Sequence, residues 1–464
     1  MKTKYIDLIE QTFDWPQEEF GLNGSELLFH GIDLMELIER YGTPLKFTYL
    51  PVISQQIRES KRWFKVAMAK HDYKGDYYYC YVTKSNHFEH VLHEVMKHEC
   101  HLETSSGFDI DIVRNLFDDG QITKDHYILC NGYKKESYLQ KMARLIEDGF
   151  HNCVPVLDNM NELAALEREL NGPCQIGIRI ASEEEPKFEF YTSRLGIGYK
   201  DIVPFYKARI QNNPQFRLRM LHFFINTGIR DTAYYWNELH KCMNVYAELK
   251  KICPELDGLD IGGGFPIKNS LGFAYDYEYM ADMIIEQIAL ACNDQGIPHP
   301  NIFTEFGSFT VGESGGIIYS ILDQKQQNDR EKWDMIDSSF MTTLPDSWAI
   351  SKRFLMLPIN RWDCEYERIF LGGLTCDSDD YYNSEQHANA IYLPKFDPAE
   401  TQYIGFFHTG AYQDTVGGFG GLQHCLTPQP KYVLIDKDED GEIHSRLFAK
   451  EQTAKSMLRI LGYI

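Results

Sequence analysis

Four places in this 464-residue chain have residue types and surroundings that could do chemistry. Lys84 ends the uncharged, aromatic and β-branched run that begins at Tyr77, in Tyr81-Val82-Thr83-Lys84-Ser85-Asn86. A lysine at the end of a buried strand carries a desolvated amine, the form that adds to carbonyls as an imine. Gly262-Gly263-Gly264 ends the apolar run Leu259–Ile261. Three residues without Cβ let a ligand approach open backbone N–H groups, which is how a loop cradles phosphate. Glu305 ends the run Ile302–Glu305, and Arg179 lies near the end of Ile176–Ile180. Singly, each has a plain reading: a surface lysine, a strand-ending turn, a satisfied carboxylate.

Their common place at strand ends changes that, because the elements around them form a rhythm. From residue 77, runs that read as strands alternate with runs at helical spacing. The strands are Tyr77–Lys84, Leu102–Ser105, Tyr127–Cys130, Val154–Leu157, Ile176–Ile180, Leu218–Ile225, Leu259–Ile261 and Ile302–Glu305. The helices between them are Phe88–Lys97, Ile110–Phe117, Tyr138–Ile146, Glu162–Leu170, Ile202–Ile210, Thr232–Lys250 and Met280–Cys292. Eight strands over about 230 residues predict a (β/α)8 barrel, with an open doubly wound sheet as the rival layout. After Gly307 the rhythm stops. Short β-prone runs follow at Ile317–Leu322, Arg368–Leu371, Ala390–Leu393, Tyr403–Phe407 and Tyr432–Ile435, with Asp436–Glu442 as a solvated hairpin turn. The division read from this is α/β: an N-terminal segment, 1–44, packing with the β domain; a barrel, 45–310; and an all-β domain, 311–464, a sandwich or small barrel.

In such a barrel, chemistry sits at the C-terminal ends of the strands, and phosphate is often held after strands seven and eight. A rim lysine, a glycine cradle after strand seven and a carboxylate at strand eight together match the needs of pyridoxal 5'-phosphate. The lysine makes the Schiff base, the glycines hold the phosphate, and the carboxylate keeps the pyridine nitrogen protonated so that the ring accepts electrons.

These segments resemble the fold-type III pyridoxal-phosphate decarboxylases, which pair an alanine-racemase-like barrel with a β domain. Val82-Thr83-Lys84-Ser85-Asn86 is similar to their lysine motif, Leu259–Pro266 to the glycine motif and Thr304-Glu305-Phe306-Gly307 to the glutamate motif. Thr375-Cys376-Asp377-Ser378-Asp379 resembles the cysteine–aspartate motif, and Gly410-Ala411-Tyr412-Gln413 the tyrosine motif. The motifs stand in the family's order along nearly the whole chain. Ser339–Trp348, and the Cys376 and Tyr412 motifs themselves, look most like the biosynthetic arginine decarboxylases.

The resemblance implies that Lys84 carries the cofactor and that Cys376 returns a proton to the α-carbon. It implies that Glu103, Arg179, Phe224, Thr227, Gly262, Gly263, Gly264, Glu305 and Tyr412 contact the cofactor. Asp346 and Asp377 would hold the distal cation of the substrate. It further implies a homodimer with shared active sites, Cys376 and Asp377 acting across the interface. The implied reaction is L-arginine to agmatine and carbon dioxide, a step of polyamine biosynthesis. Rival readings are decarboxylation of ornithine, lysine, diaminopimelate or carboxynorspermidine, or a catalytically silent regulator of the same shape. Two departures stand out: Phe224 occupies the place of a ring-stacking histidine, in Leu221-His222-Phe223-Phe224, and Ser308 that of an arginine near the phosphate. His222 itself reads as a packed histidine. Without the family order, Cys376 reads as a buried thiol, Asp346 and Asp377 as turn formers and Tyr412 as core.

Lys+Arg 46 against Asp+Glu 68 gives a net charge of −22, which argues against nucleic acid and anionic membranes and suits a cationic substrate. The 11 cysteines include no Cys-x-x-Cys, so neither a disulfide framework nor a zinc site is expected. No metal-ligand spacing is evident, although the larger arginine decarboxylases are associated with Mg2+. The first twenty residues lack a signal-peptide core and no run of 18 apolar residues occurs, so a cytoplasmic setting is expected.

Overall fold

The computed structural model describes residues 3–183, 191–382 and 391–464. The chain forms two compact units. One comprises Ile53–Pro266 and Tyr275–Thr310; the other comprises Met1–Val52, Ile267–Ala274 and Val311–Ile464.

The first unit is an eight-stranded parallel barrel. Its strands are β1 (Tyr77–Val82), β2 (His101–Thr104), β3 (Ile128–Cys130), β4 (Cys153–Leu157), β5 (Cys174–Ala181), β6 (Phe216–His222), β7 (Gly258–Asp260) and β8 (Asn301–Phe306). Each pairs with the next, and β8 returns to β1 with Ile302 opposite Tyr77. Closure, rather than an open sheet, follows from buried residues along every strand: no edge is left to face water. Cys80, Tyr127, Leu129, Val154, Val156, Met220 and Phe303 form a buried apolar cluster. Three of the barrel helices start at side-chain caps. Ser106 and Asp109 make a reciprocal capping box for Gly107–Asp118, Thr232 caps Ala233–Lys250, and Asp276 caps Tyr277–Gln295, which Gly296 stops in a left-handed turn. The expected strands and helices are all present, with ends shifted by a few residues; the Ile202–Ile210 helix starts at Tyr199 and widens to a π-turn over Tyr206–Ile210.

The second unit is built on antiparallel sheet. The central strand Leu45–Tyr49 lies between Gly315–Asn328, antiparallel to it, and Lys431–Lys437, parallel to it. The barrel unit therefore begins at Ile53 and not at residue 45. All five residues of Leu45–Tyr49 are buried, and Leu45, Phe47 and Tyr49 join a core with Tyr5, Phe20, Leu27, Phe29 and Trp362. Phe20–Asn23, Glu26–Phe29 and Ile32–Asp33 make a small three-stranded sheet, with the turn between the last two at His30 and Gly31, both with positive φ. Lys431–Lys437 and Ile443–Ala449 form the hairpin expected around Asp436–Glu442. Ala390, at the start of one expected run, lies outside the described residues; Ile391–Pro394 is a strand.

Candidate active site

The rim of the barrel gathers charge. Lys84 lies on a single 3-10 turn, Thr83–Ser85, directly after β1. Its Nζ is 3.3 Å from Oε1 and 3.4 Å from Oε2 of Glu103, on β2. The two side chains differ sharply in burial: Glu103 is 0 % exposed and Lys84 47 %. A desolvated lysine, expected from the strand end, is thus corrected. The turn lifts the amine into the open mouth, and the desolvated member of the pair is its carboxylate. Burial pushes the Glu103 carboxyl up, with Lys84 pulling the other way. Ser105 Oγ also donates to Glu103, at 3.3 Å.

On β8, the strand beside β1, Glu305 is held by three neighbours. Asn131, just beyond β3, donates its amide to Oε1 at 2.6 Å. His222, the last residue of β6, places Nε2 3.3 Å from Oε2. Asp260, the last residue of β7, completes a cluster in which one donor atom each of His222, Asp260 and Glu305 lies within 4.8 Å of the others. Two buried carboxylates so close cannot both ionise freely. Burial and then Glu305 drive the Asp260 carboxyl well up. Burial also opposes charge on Glu305, yet His222, followed by Lys84, holds it at about 2. Glu305 is therefore the anion of the pair. Asp260 acts as a local tie, its Oδ1 accepting the Gly262 N–H at 2.8 Å.

The glycine loop is shaped by its neighbours. Gly262 (φ +66) and Gly264 (φ +117) need the left-handed region. A Cβ on Gly263 would sit 2.0 Å from the Glu305 carbonyl oxygen, so the loop lies directly against β8. Gly262 O accepts from Glu305 N at 2.8 Å, and Gly264 O from Ile229 N at 2.9 Å. The N–H groups of Gly263 and Gly264 make no hydrogen bond among the described residues. Thr227, half-buried, stands in the turn closed by Gly228 N on Ile225 O. Arg179, on β5, lies with its guanidinium carbon 5.5 Å from the centre of the Phe224 ring, and its buried Nε has no hydrogen-bond partner among the described residues. The Phe224 ring is thus faced by a guanidinium.

In the β unit, the expected residues fall into two groups. Asp346 is buried at the start of the helix Pro345–Ala349, and its Oδ2 accepts Gln413 Nε2 at 2.7 Å with Lys352 Nζ at 3.4 Å. Gln413 follows Tyr412, whose backbone takes the left-handed form (φ +69) ahead of the helix Gln413–Gly417. Cys376 is exposed, not a core thiol, and Asp377 follows it. Asn131 and Asp260 were not expected as site residues, and His222 was expected only to pack. Asp260 and His222 end barrel strands, and strand-end position was the signal that could have found them; Asn131 lies one residue past β3.

A family model for the pyridoxal-dependent decarboxylases, pyridoxal binding domain, matches residues 55–312. The chain belongs to that family. It is 23% identical to the biosynthetic arginine decarboxylase of Escherichia coli, with 92% of this chain and 82% of that one covered. Among solved structures, the biosynthetic arginine decarboxylase of Campylobacter jejuni superposes with a TM-score of 0.81 at 19% identity, covering 97% of this chain and 90% of that one. A diaminopimelate decarboxylase from M. jannaschi gives 0.79 at 18%, covering 95% and 97%. These likenesses are of fold: a parallel barrel with a separate, mostly β unit. The residues at this rim suit the family's cofactor. The unpartnered N–H groups of Gly263 and Gly264 suit a phosphate, the ionised Glu305 a pyridinium, and the exposed Lys84 amine an aldehyde.

Proposed function

We propose that this decarboxylase converts L-arginine to agmatine and carbon dioxide, as a homodimer with shared active sites, in a cytoplasmic setting and in the service of polyamine synthesis. The observation that carries the reading is the rim constellation: an accessible Lys84 amine against buried Glu103, facing a Glu305 held ionised by His222. Pyridoxal phosphate, when bound, supplies the aldehyde for Lys84 and the sink for the electron pair left when carbon dioxide departs. Glu305 would keep a proton on the pyridine nitrogen, with Asn131 and His222 fixing the carboxylate and the Asp260 carboxyl, pushed up by burial and by Glu305, beside it. Gly262, Gly263, Gly264, Thr227 and Tyr412 hold the phosphate end. Phe224, with the Arg179 guanidinium carbon 5.5 Å from its ring centre, would lie beside the cofactor. Glu103 orients the Lys84 amine. Cys376 would deliver a proton to the α-carbon, and Lys84 would serve as the amine that carries the cofactor. Asp346 and Asp377 give the guanidinium charge-assisted hydrogen bonds.

The net charge, the motif order and the likeness to arginine decarboxylases support arginine. One observation favours a second reading, another basic or diamino acid such as diaminopimelate. Lys352, 3.4 Å from Asp346 Oδ2, would greet a distal carboxylate, and a diaminopimelate decarboxylase is among the fold neighbours. The deciding experiment supplies the protein with pyridoxal phosphate and, separately, arginine, ornithine, lysine, meso-diaminopimelate and carboxynorspermidine. Carbon dioxide is counted and each amine identified by mass. Agmatine should dominate; release from another acid with none from arginine would overturn the assignment.

A further inference from the structure

Within the β unit, two adjacent residues of one segment face two adjacent residues of another. Cys425 Sγ lies 3.9 Å from Cys376 Sγ, and His424 Nε2 lies 3.3 Å from Asp377 Oδ2. We propose that the His424–Leu426 turn is a working part of the proton-delivery site, with Cys425 as the thiol that supports the Cys376 sulfur and His424 as the positioning residue for the Asp377 carboxylate. This rests on the reading of Cys376 and Asp377 given above.

Both segments are built to hold this register. On one side, the buried Asp380 carboxylate accepts from the N–H and hydroxyl of Thr375 at 3.1 and 2.7 Å and from Phe340 N at 2.9 Å. Asp379 N donates to Asp377 Oδ1 at 2.9 Å, which leaves Oδ2 to His424. On the other side, Gln423 and Gln429 are buried, with Gln423 Nε2 donating to Gln429 Oε1 at 3.3 Å. Between them Cys425 and Leu426 both take positive φ, +52 and +54. Two consecutive side-chain-bearing residues in that region cost more than an exposed ion pair returns, so the turn is not explained by stability. Strain of this kind accumulates where side chains must be aimed.

The chemistry follows. The Cys376 S–H bond breaks, its proton forms the new C–H bond at the substrate α-carbon, and the electron pair stays on sulfur as a thiolate. The Cys425 S–H donates to that thiolate, and both sulfurs are exposed, so water restores the proton. His424 Nε2, 3.3 Å from Oδ2, holds the neighbouring Asp377 carboxylate in one orientation.

The test uses the pyridoxal-phosphate-loaded enzyme with L-arginine, and has three readouts. Cys425→Ala should lower kcat at least fivefold with KM within twofold, and Cys425→Ser should fall between it and the native enzyme. His424→Gln should act chiefly by raising KM. Alkylation of Cys376 by iodoacetamide at neutral pH, followed by peptide mass, should slow severalfold in Cys425→Ala, a readout independent of turnover. Mild diamide treatment should join Cys376 to Cys425 within one chain in preference to other cysteine pairs. If Cys376→Ala cripples turnover while Cys425→Ala and His424→Gln match the native enzyme in rate and alkylation, the proposal falls and the role of Cys376 stands. If Cys376→Ala turns over normally, both fall.

Discussion

Lys84 and Glu103 illustrate how burial divides labour between two partners. The carboxylate is sealed and the amine is open, so the amine keeps its reach while the carboxylate fixes its direction. Replacing Lys84 by Ala should abolish the borohydride-reducible adduct with pyridoxal phosphate; retention of a reducible adduct on this chain would remove Lys84 from the site. Asp346 makes a different residue-scale prediction. Losing a charge-assisted hydrogen bond costs roughly 1.5–3 kcal/mol, so Asp346→Ala should raise KM for arginine by at least about tenfold while kcat changes less. An unchanged KM would strike Asp346 from the substrate wall. Lys84, Glu305 and the three glycines were legible in the sequence because each ends an apolar run. Asn131 was not, since an asparagine after a short strand has no distinguishing neighbours until β8 is placed across from it.

At the scale of elements, the loop after β7 is held as tightly by packing as by its backbone freedom. Gly263→Ala would set a Cβ against the Glu305 carbonyl, 2.0 Å away. Overpacking of this kind costs about 1–3 kcal/mol or more. The variant should unfold at a lower temperature and bind pyridoxal phosphate at least tenfold more weakly by fluorescence titration, whereas native values in both would mean the loop yields freely. In the β unit, the small N-terminal sheet is tied to the end of the strand Tyr403–Phe407 by Glu19 and His408. Burial opposes the Glu19 charge, yet His408 and then Lys268 hold its carboxyl at about 2. Burial likewise disfavours charged His408, but Glu19 raises it above its ordinary value. Glu19 therefore stabilises above its unfolded value of 4.5 and loses this as pH falls toward 2; His408 stabilises below 6.5 and loses this as pH rises through its raised value. His408→Gln should cost about 3–5 kcal/mol in urea unfolding near pH 5–6. The gap from the native protein should narrow in alkaline buffer; a constant gap would deny the ion pair.

For the whole molecule, the proposal of shared active sites makes Lys84 and Cys376 contributions from different chains. Lys84→Ala and Cys376→Ala, each inactive alone, should regain about a quarter of native activity when mixed and reassembled, because half of randomly paired dimers hold one intact site of two. No recovery, with exchange verified by mass, would confine each site to one chain. The layout was readable at this scale wherever period and burial agree, as along the barrel. It was not readable where they part. Ile443–Ala449 is largely exposed and interleaves polar residues, so only the hairpin turn before it, and not its own period, marks it as a strand. Leu45–Tyr49 adjoins the barrel in sequence, and only its two partners, each more than 250 residues downstream, assign it elsewhere.

The sequence by itself determined the eight-fold alternation, the β region after it, and the lysine, glycines and glutamate at strand ends. These are local properties, written in apolar period and in residues that need a particular backbone. Only the tertiary structure decided charge. It chose Glu305 rather than Asp260 as the anion, opened Lys84 to solvent, put Arg179 over Phe224 and set His424-Cys425 against Cys376-Asp377. Each depends on groups far apart in sequence coming within a few ångströms, where burial and Coulomb forces outweigh any local preference.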